Sequence, residues 1–94
     1  MLDYKNLIGR VVYSKAGRDS ERAFIISDVI DKNYVYIIDG NLRKVEKPKK
    51  KKIKHLSLTN YVVEDIKQLI MSGNNVNDAK VRKYLANRDA NKEG

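Results

Sequence analysis

The sequence predicts an α+β protein, a small antiparallel β-barrel followed by a C-terminal pair of α-helices. Residues 1–58 carry short runs of branched and aromatic side chains, separated by turn-forming Gly, Asp and Asn. From Asn60 onward the apolar residues recur with a helical period instead. A chain of 94 residues with 41% hydrophobic content suits one domain with a thin core.

Each strand has a local reason. Val11, Val12 and Tyr13 in "GRVVYS" form the first, bounded by Gly9 and by the polar segment "SKAGRDSER" around Gly17. "AFIISDVI" forms the second. "DKN" then breaks the pattern before "YVYII" resumes it, which is a hairpin signal. In that strand Val35 and Ile37 share one face, with Tyr34, Tyr36 and Ile38 on the other; "FII" is apolar on both faces and leaves the register open. Asp39-Gly40 suits a type I′ turn, so a further strand is expected from about Leu42 to Val45, ended by Pro48. "IKHLSL" supplies a last short strand.

The helical part follows. "NYVVEDIKQLIMSG" places Val62, Ile66, Leu69 and Ile70 on one face, with Asn60 as N-cap, Glu64 and Asp65 near the positive end of the dipole, and Gly73 as the stop. A second helix is expected from about Asp78, capped by Asn77, with Val76 stapled onto Val81 and the apolar face extended by Tyr84 and Leu85. The organisation is therefore a barrel over 1–58, a helical hairpin over 59–90 packed on or extending from it, and a frayed tail over 91–94.

Charge is concentrated. The net charge is +8, and Arg43 to Lys54 hold eight basic residues against Glu46, leaving about +1 for the rest of the chain. A focused patch on a near-neutral body is the electrostatic form of a polyanion binder. The run "EKPKKKKIKHL" lies between two expected strands, so it is expected to be a loop held at both ends. A solvated linker and a nuclear address are the plainer alternatives. As a held loop, Lys49, Lys50, Lys51, Lys52 and Lys54 would neutralise phosphates, aided by Arg43, Lys44 and Lys47. Lys15, Arg18 and Arg22, around Gly17, form a second candidate contact at the barrel end. Tyr13, Tyr34 or Tyr36 on an exposed face could stack an unpaired base.

Other classes find less support. With no cysteine, disulfides and thiol chemistry are excluded. His55 is the only histidine and no triad spacing surrounds it; Asp28, Asp31 and Asp39 are scattered over turns without a metal-ligand pattern. The expectation is a protein that is not an enzyme and needs no metal or cofactor. No apolar run approaches the ~18 residues of a membrane span, and the first ten residues lack a secretory signal, so a cytoplasmic protein is expected. The two helices, with Lys80, Arg82, Lys83 and Arg88, admit a helix-turn-helix DNA binder, but residues 61–94 carry a net of only +1 and the turn is long. A protein-binding adaptor that uses the helices, with Ile66 at its contact face, is the stronger rival.

Residues 9–56, "GRVVYSKAGRDSERAFIISDVIDKNYVYIIDGNLRKVEKPKKKKIKHL", resemble the KOW-motif proteins. In particular they look like the L14e-type large-subunit ribosomal proteins of archaea and eukaryotes and their short bacterial RNA-binding relatives. The resemblance rests on the pair Val11-Val12 leading into the loop with Gly17, the strand–turn–strand ending at "IIDG", and the basic segment after it. The helical part looks like the C-terminal extension of the short bacterial forms. The resemblance implies an SH3-like barrel that binds ribosomal RNA in translation or ribosome assembly, with the Gly17 loop near the contact. The implied partners are RNA, ribosomal RNA above all, and ribosomal proteins, with no membrane and no small-molecule substrate.

Overall fold

A computed structural model of the chain describes residues 6–15 and 22–93, the last seven as backbone only. Five strands form one antiparallel sheet: β1 (Arg10–Ser14), β2 (Ala23–Val29), β3 (Tyr34–Ile38), β4 (Lys49–Lys52) and β5 (Leu56–Val62). Their spatial order is β4-β3-β2-β1-β5. Two helices follow, α1 (Glu64–Met71) and α2 (Asp78–Glu93). The protein is thus α+β, and the sheet is not closed by a ladder between β4 and β5.

Phe24, Ile25 and Ile26 of β2 are buried on both faces of the sheet, which explains the doubly apolar "FII". Ile25 pairs with Val11 and Ile38, and these three join Val63, Ile66, Val76, Val81 and Leu85 in a core between sheet and helices. Phe24 and Ile26 point the other way, into a second core with Leu7, Val12, Val35, Ile37 and Leu56. The expected split of β3 is found: Val35 and Ile37 lie in this second core while Ile38 lies in the first. Bulges interrupt both the β1–β5 and the β2–β3 ladders. Bulges of this kind bend strands and raise local twist. Consecutive strands β4 and β5 occupy opposite ends of the sheet order yet are joined only by the 3₁₀ turn Ile53–His55. Three residues span little distance, so the sheet curls until its two outer strands come near each other at this end.

Three expectations need correction. The lysine run is a strand rather than a loop: Lys49, Lys50, Lys51 and Lys52 pair with Ile37, Tyr36, Val35 and Tyr34. Lysine has low strand propensity, but β3 offers an open edge, and edge positions tolerate lysine because its head stays in water. The strand expected at Leu42–Val45 is absent, because its backbone donors go elsewhere. Asp39 Oδ1 accepts the N–H groups of Asn41 and Arg43 at 2.9 and 2.8 Å, and Asp78 Oδ1 accepts that of Val45 at 2.8 Å. Asp39-Gly40 therefore opens a wide loop instead of a two-residue turn.

Asn60 does not cap a helix. β5 runs through it to Val62, and α1 begins at Glu64 with Val63 as N-cap. Ladder pairing with β1, reinforced by a Thr59 hydroxyl donating to the Val11 carbonyl at 2.6 Å, outweighs the capping preference of Asn60. α2 runs from Asp78 to Glu93. No Gly or Pro interrupts it before Gly94. Val62, expected on the apolar face of the first helix, ends β5 instead. The Asn77 side chain accepts the Lys80 N–H at 2.7 Å, Gly73 follows α1 with φ +78°, and Val76 and Val81 share a cluster, as expected. Among the described residues no helix is long and apolar enough to cross a membrane.

Candidate functional site

Strand alternation divides the lysines of β4 into two pairs. Lys50 and Lys52 are exposed and lie across from Tyr36 and Tyr34. Lys49 and Lys51 are half-buried and lie across from Ile37 and Val35, whose side chains belong to the second core. The stems of Lys49 and Lys51 therefore flank that core at the sheet edge, with their charged heads in water. Same-face lysines sit about 6.5–7 Å apart. At that spacing in water each pair repels by roughly 0.6 kcal/mol, a penalty that a polyanion along the strand would remove.

The exposed pair is organised around one ring. Lys50 Nζ lies 4.5 Å from the centroid of the Tyr34 ring and Lys52 Nζ lies 5.9 Å from it. These are cation–π distances. Tyr34 itself is fixed at the start of β3, where Asp31 Oδ1 accepts the N–H groups of Asn33 and Tyr34 at 2.7 and 2.9 Å. The Ile53 N–H donates to the Asn33 carbonyl at 2.9 Å and ties the 3₁₀ turn to the same β2–β3 connection. Between them lies a cavity of about 310 Å³ lined by Asn33, Tyr34, Lys52, Ile53 and Lys54.

The other expected site residues are placed as follows. Arg43, Lys44 and Lys47 stand on the 39–48 loop, where the Arg43 carbonyl accepts the Asp39 N–H at 2.9 Å and the Lys47 N–H donates to the Lys44 carbonyl at 2.9 Å. Lys44, Lys47 and Lys54 are exposed. Lys15 is exposed too, and its N–H donates to the His55 carbonyl at 3.0 Å, which brings it to the same end of the sheet as Lys54. Gly17 and Arg18 lie outside the described residues. Arg22 does not join the lysines: its guanidinium faces Asp39 Oδ2 at 3.5 Å, with the Arg22 side chain 43% exposed and that of Asp39 5%. It supports the carboxylate that shapes the 39–48 loop. Tyr13 pairs with Ala23 and Ser57, strands away from β4.

A larger cleft, about 700 Å³, lies along the sheet between β2–β3, the 45–48 segment and the α1–α2 connection. Its ionisable lining groups include Asp28, Glu46 and Asp78 and no lysine or arginine. An anion is disfavoured there and favoured at β4. The sequence missed Asn33 and Ile53 as neighbours of the site; only the pairing of β3 with β4 reveals them. It also missed that alternation leaves Lys50 and Lys52, and not the whole run, on the Tyr34 face.

Ile66 is fully buried between sheet and helices, so it offers no contact surface for an adaptor. Arg82 Nη1 donates to the Gly40 carbonyl at 2.6 Å and is committed within the fold. No protein-family model matches the chain, and no curated protein matches it.

Proposed function

We propose that this chain is a noncatalytic RNA-binding protein of the KOW type, built on an SH3-like barrel and acting on ribosomal RNA in translation or ribosome assembly in the cytoplasm. The observation that carries the reading is the lysine strand. Lys49 to Lys52 are held extended at a sheet edge by pairing with β3, and Lys44, Lys47 and Lys54 flank them, exposed. An ordered row of point charges on a nearly neutral body suits an irregular phosphate backbone, with affinity and orientation supplied more than sequence discrimination.

Two features support the barrel. The three-residue link between the outer strands demands strong curvature, and the side of the sheet away from the helices encloses its own core. Residues 9–56, which carry the resemblance, take in β1 to β4, the 3₁₀ turn and the first residue of β5.

Lysines on an edge strand also prevent edge-to-edge association. That role needs charge of either sign, whereas phosphate binding needs positive charge. Lys50→Glu with Lys52→Glu separates them. The rival readings on the helices draw less support, since Ile66, Val81 and Leu85 are spent on the core and Arg82 on Gly40.

Ultraviolet crosslinking in the native cell, followed by sequencing of the attached nucleic acid, tests the proposal. Reads concentrated on one segment of ribosomal RNA are expected. Diffuse or absent RNA reads would overturn it and direct attention to a protein partner.

A further inference from the structure

We infer that the cavity between the β2–β3 connection and the 3₁₀ turn is a subsite for one unpaired nucleotide of an RNA strand, with Tyr34 as the stacking platform, Asn33 at the base edge, and Lys52 and Lys54 on the flanking phosphates. The inference rests on the RNA-binding reading and adds to it what is bound: a splayed, single-stranded nucleotide rather than a duplex.

Size and chemistry agree. The cavity of about 310 Å³ has room for a single base with its sugar. It combines an aromatic ring, an amide and two ammonium groups, with Ile53 as an apolar wall. Unpaired bases are recognised by this set, a ring for the base face, an amide for its edge and cations for its phosphates. The larger cleft near Asp28 and Glu46 lacks both cations.

The platform is rigid where it must be. Asp31 holds the backbone of Asn33 and Tyr34, and the Ile53 N–H bond to the Asn33 carbonyl fixes the opposite wall. In the free protein Lys50 Nζ sits over the ring at 4.5 Å. Stacking of a base is about two to three times stronger than an exposed cation–π contact, so the incoming base displaces the ammonium. Lys50 is then released toward a neighbouring phosphate. A duplex cannot make this exchange, because its bases remain stacked on one another.

The test is fluorescence anisotropy on the full chain with labelled octa-uridine RNA, the same strand with abasic sites, and an RNA duplex of equal length. Expected results are a clear preference for octa-uridine over its abasic form, and a loss of about 5- to 150-fold on octa-uridine for Tyr34→Leu. Tyr34→Phe, which keeps the ring, retains the affinity. The abasic comparison uses unmodified protein and so stands even if Tyr34→Leu misfolds. Equal binding of octa-uridine and abasic RNA would overturn the subsite while leaving the phosphate-binding role of the lysines intact. Failure of the unmodified chain to bind any of these RNAs would overturn the RNA-binding reading, and the subsite with it.

Discussion

The carboxylate of Asp78, in the first turn of α2, accepts the backbone N–H of Val45 at 2.8 Å across 33 residues of chain. This bond docks the second helix onto the loop that delivers the chain into the lysine strand. Val45 is packed against the core between sheet and helices, so its N–H has no ready replacement for the lost acceptor. Asp78→Ala should cost about 1–3 kcal/mol. Thermal unfolding should show a Tm at least about 4 °C lower. Asp78→Asn keeps an acceptor oxygen and should lose less. Equal Tm values for the parent and Asp78→Ala would refute the docking role.

Two glycines with the same φ of +78° should respond differently to alanine. At Gly73 nothing lies within 4 Å of an added Cβ, so only the left-handed backbone is penalised, by about 1–2 kcal/mol. At Gly40 the Cβ would fall on the Asp78 carbonyl oxygen, with Arg82 also close. Displacing a helix backbone adds about 1–3 kcal/mol. Urea titrations of Gly40→Ala and Gly73→Ala should therefore differ by at least about 1 kcal/mol, with Gly40→Ala the weaker.

The hydroxyl of Tyr84 on α2 donates to the Asp65 carboxylate on α1. This hydrogen bond first, then burial and the negative charge of Asp65, raises the Tyr84 pKa above the ordinary tyrosine value. The protonated phenol is the form the fold favours. Its contribution is complete below the ordinary tyrosine pKa and is lost as pH rises through the raised one. An alkaline absorbance titration, with the Tyr84→Phe curve subtracted, should give a midpoint above about 10 for this residue. Asp65→Asn should lower that midpoint. A midpoint unmoved by Asp65→Asn would show that the hydrogen bond does not set it.

Much of this architecture is legible in the sequence, and the failures have a common cause. The strands at Val11, Phe24 and Val35 announce themselves through branched residues, and α2 through Asn77 and Val81. The lysine strand does not, because its strandness comes from the open edge of β3 and not from lysine itself. The missing strand near Leu42 and the late start of α1 fail for the same reason. Asp39 captures the nearby Asn41 and Arg43 donors, but Asp78 redirects the Val45 donor from 33 residues away and Thr59 reinforces a ladder across 48. Local propensity cannot register such partners. The basic site was visible as composition, but its division by strand alternation, and the ring at Tyr34, depend on pairing across β3 and β4.

Charge reversal at the edge separates function from solubility. Lys50→Glu with Lys52→Glu keeps a charged edge strand and should leave the sedimentation coefficient of the chain unchanged, with Tm changed by only a few degrees. RNA affinity should fall by at least about tenfold, since two phosphate contacts become repulsive. Unchanged RNA affinity would mean that the exposed lysines serve only to guard the edge.

The central claim is that the lysine strand binds RNA phosphates. It is tested most directly by the affinity of the full chain for a folded ribosomal RNA fragment at a series of salt concentrations. With about four to six phosphates neutralised, a plot of log affinity against log salt should fall with a slope of roughly −3 to −5. A slope shallower than about −1 would contradict the account, because the row of charges at β4 would then not be what holds the RNA.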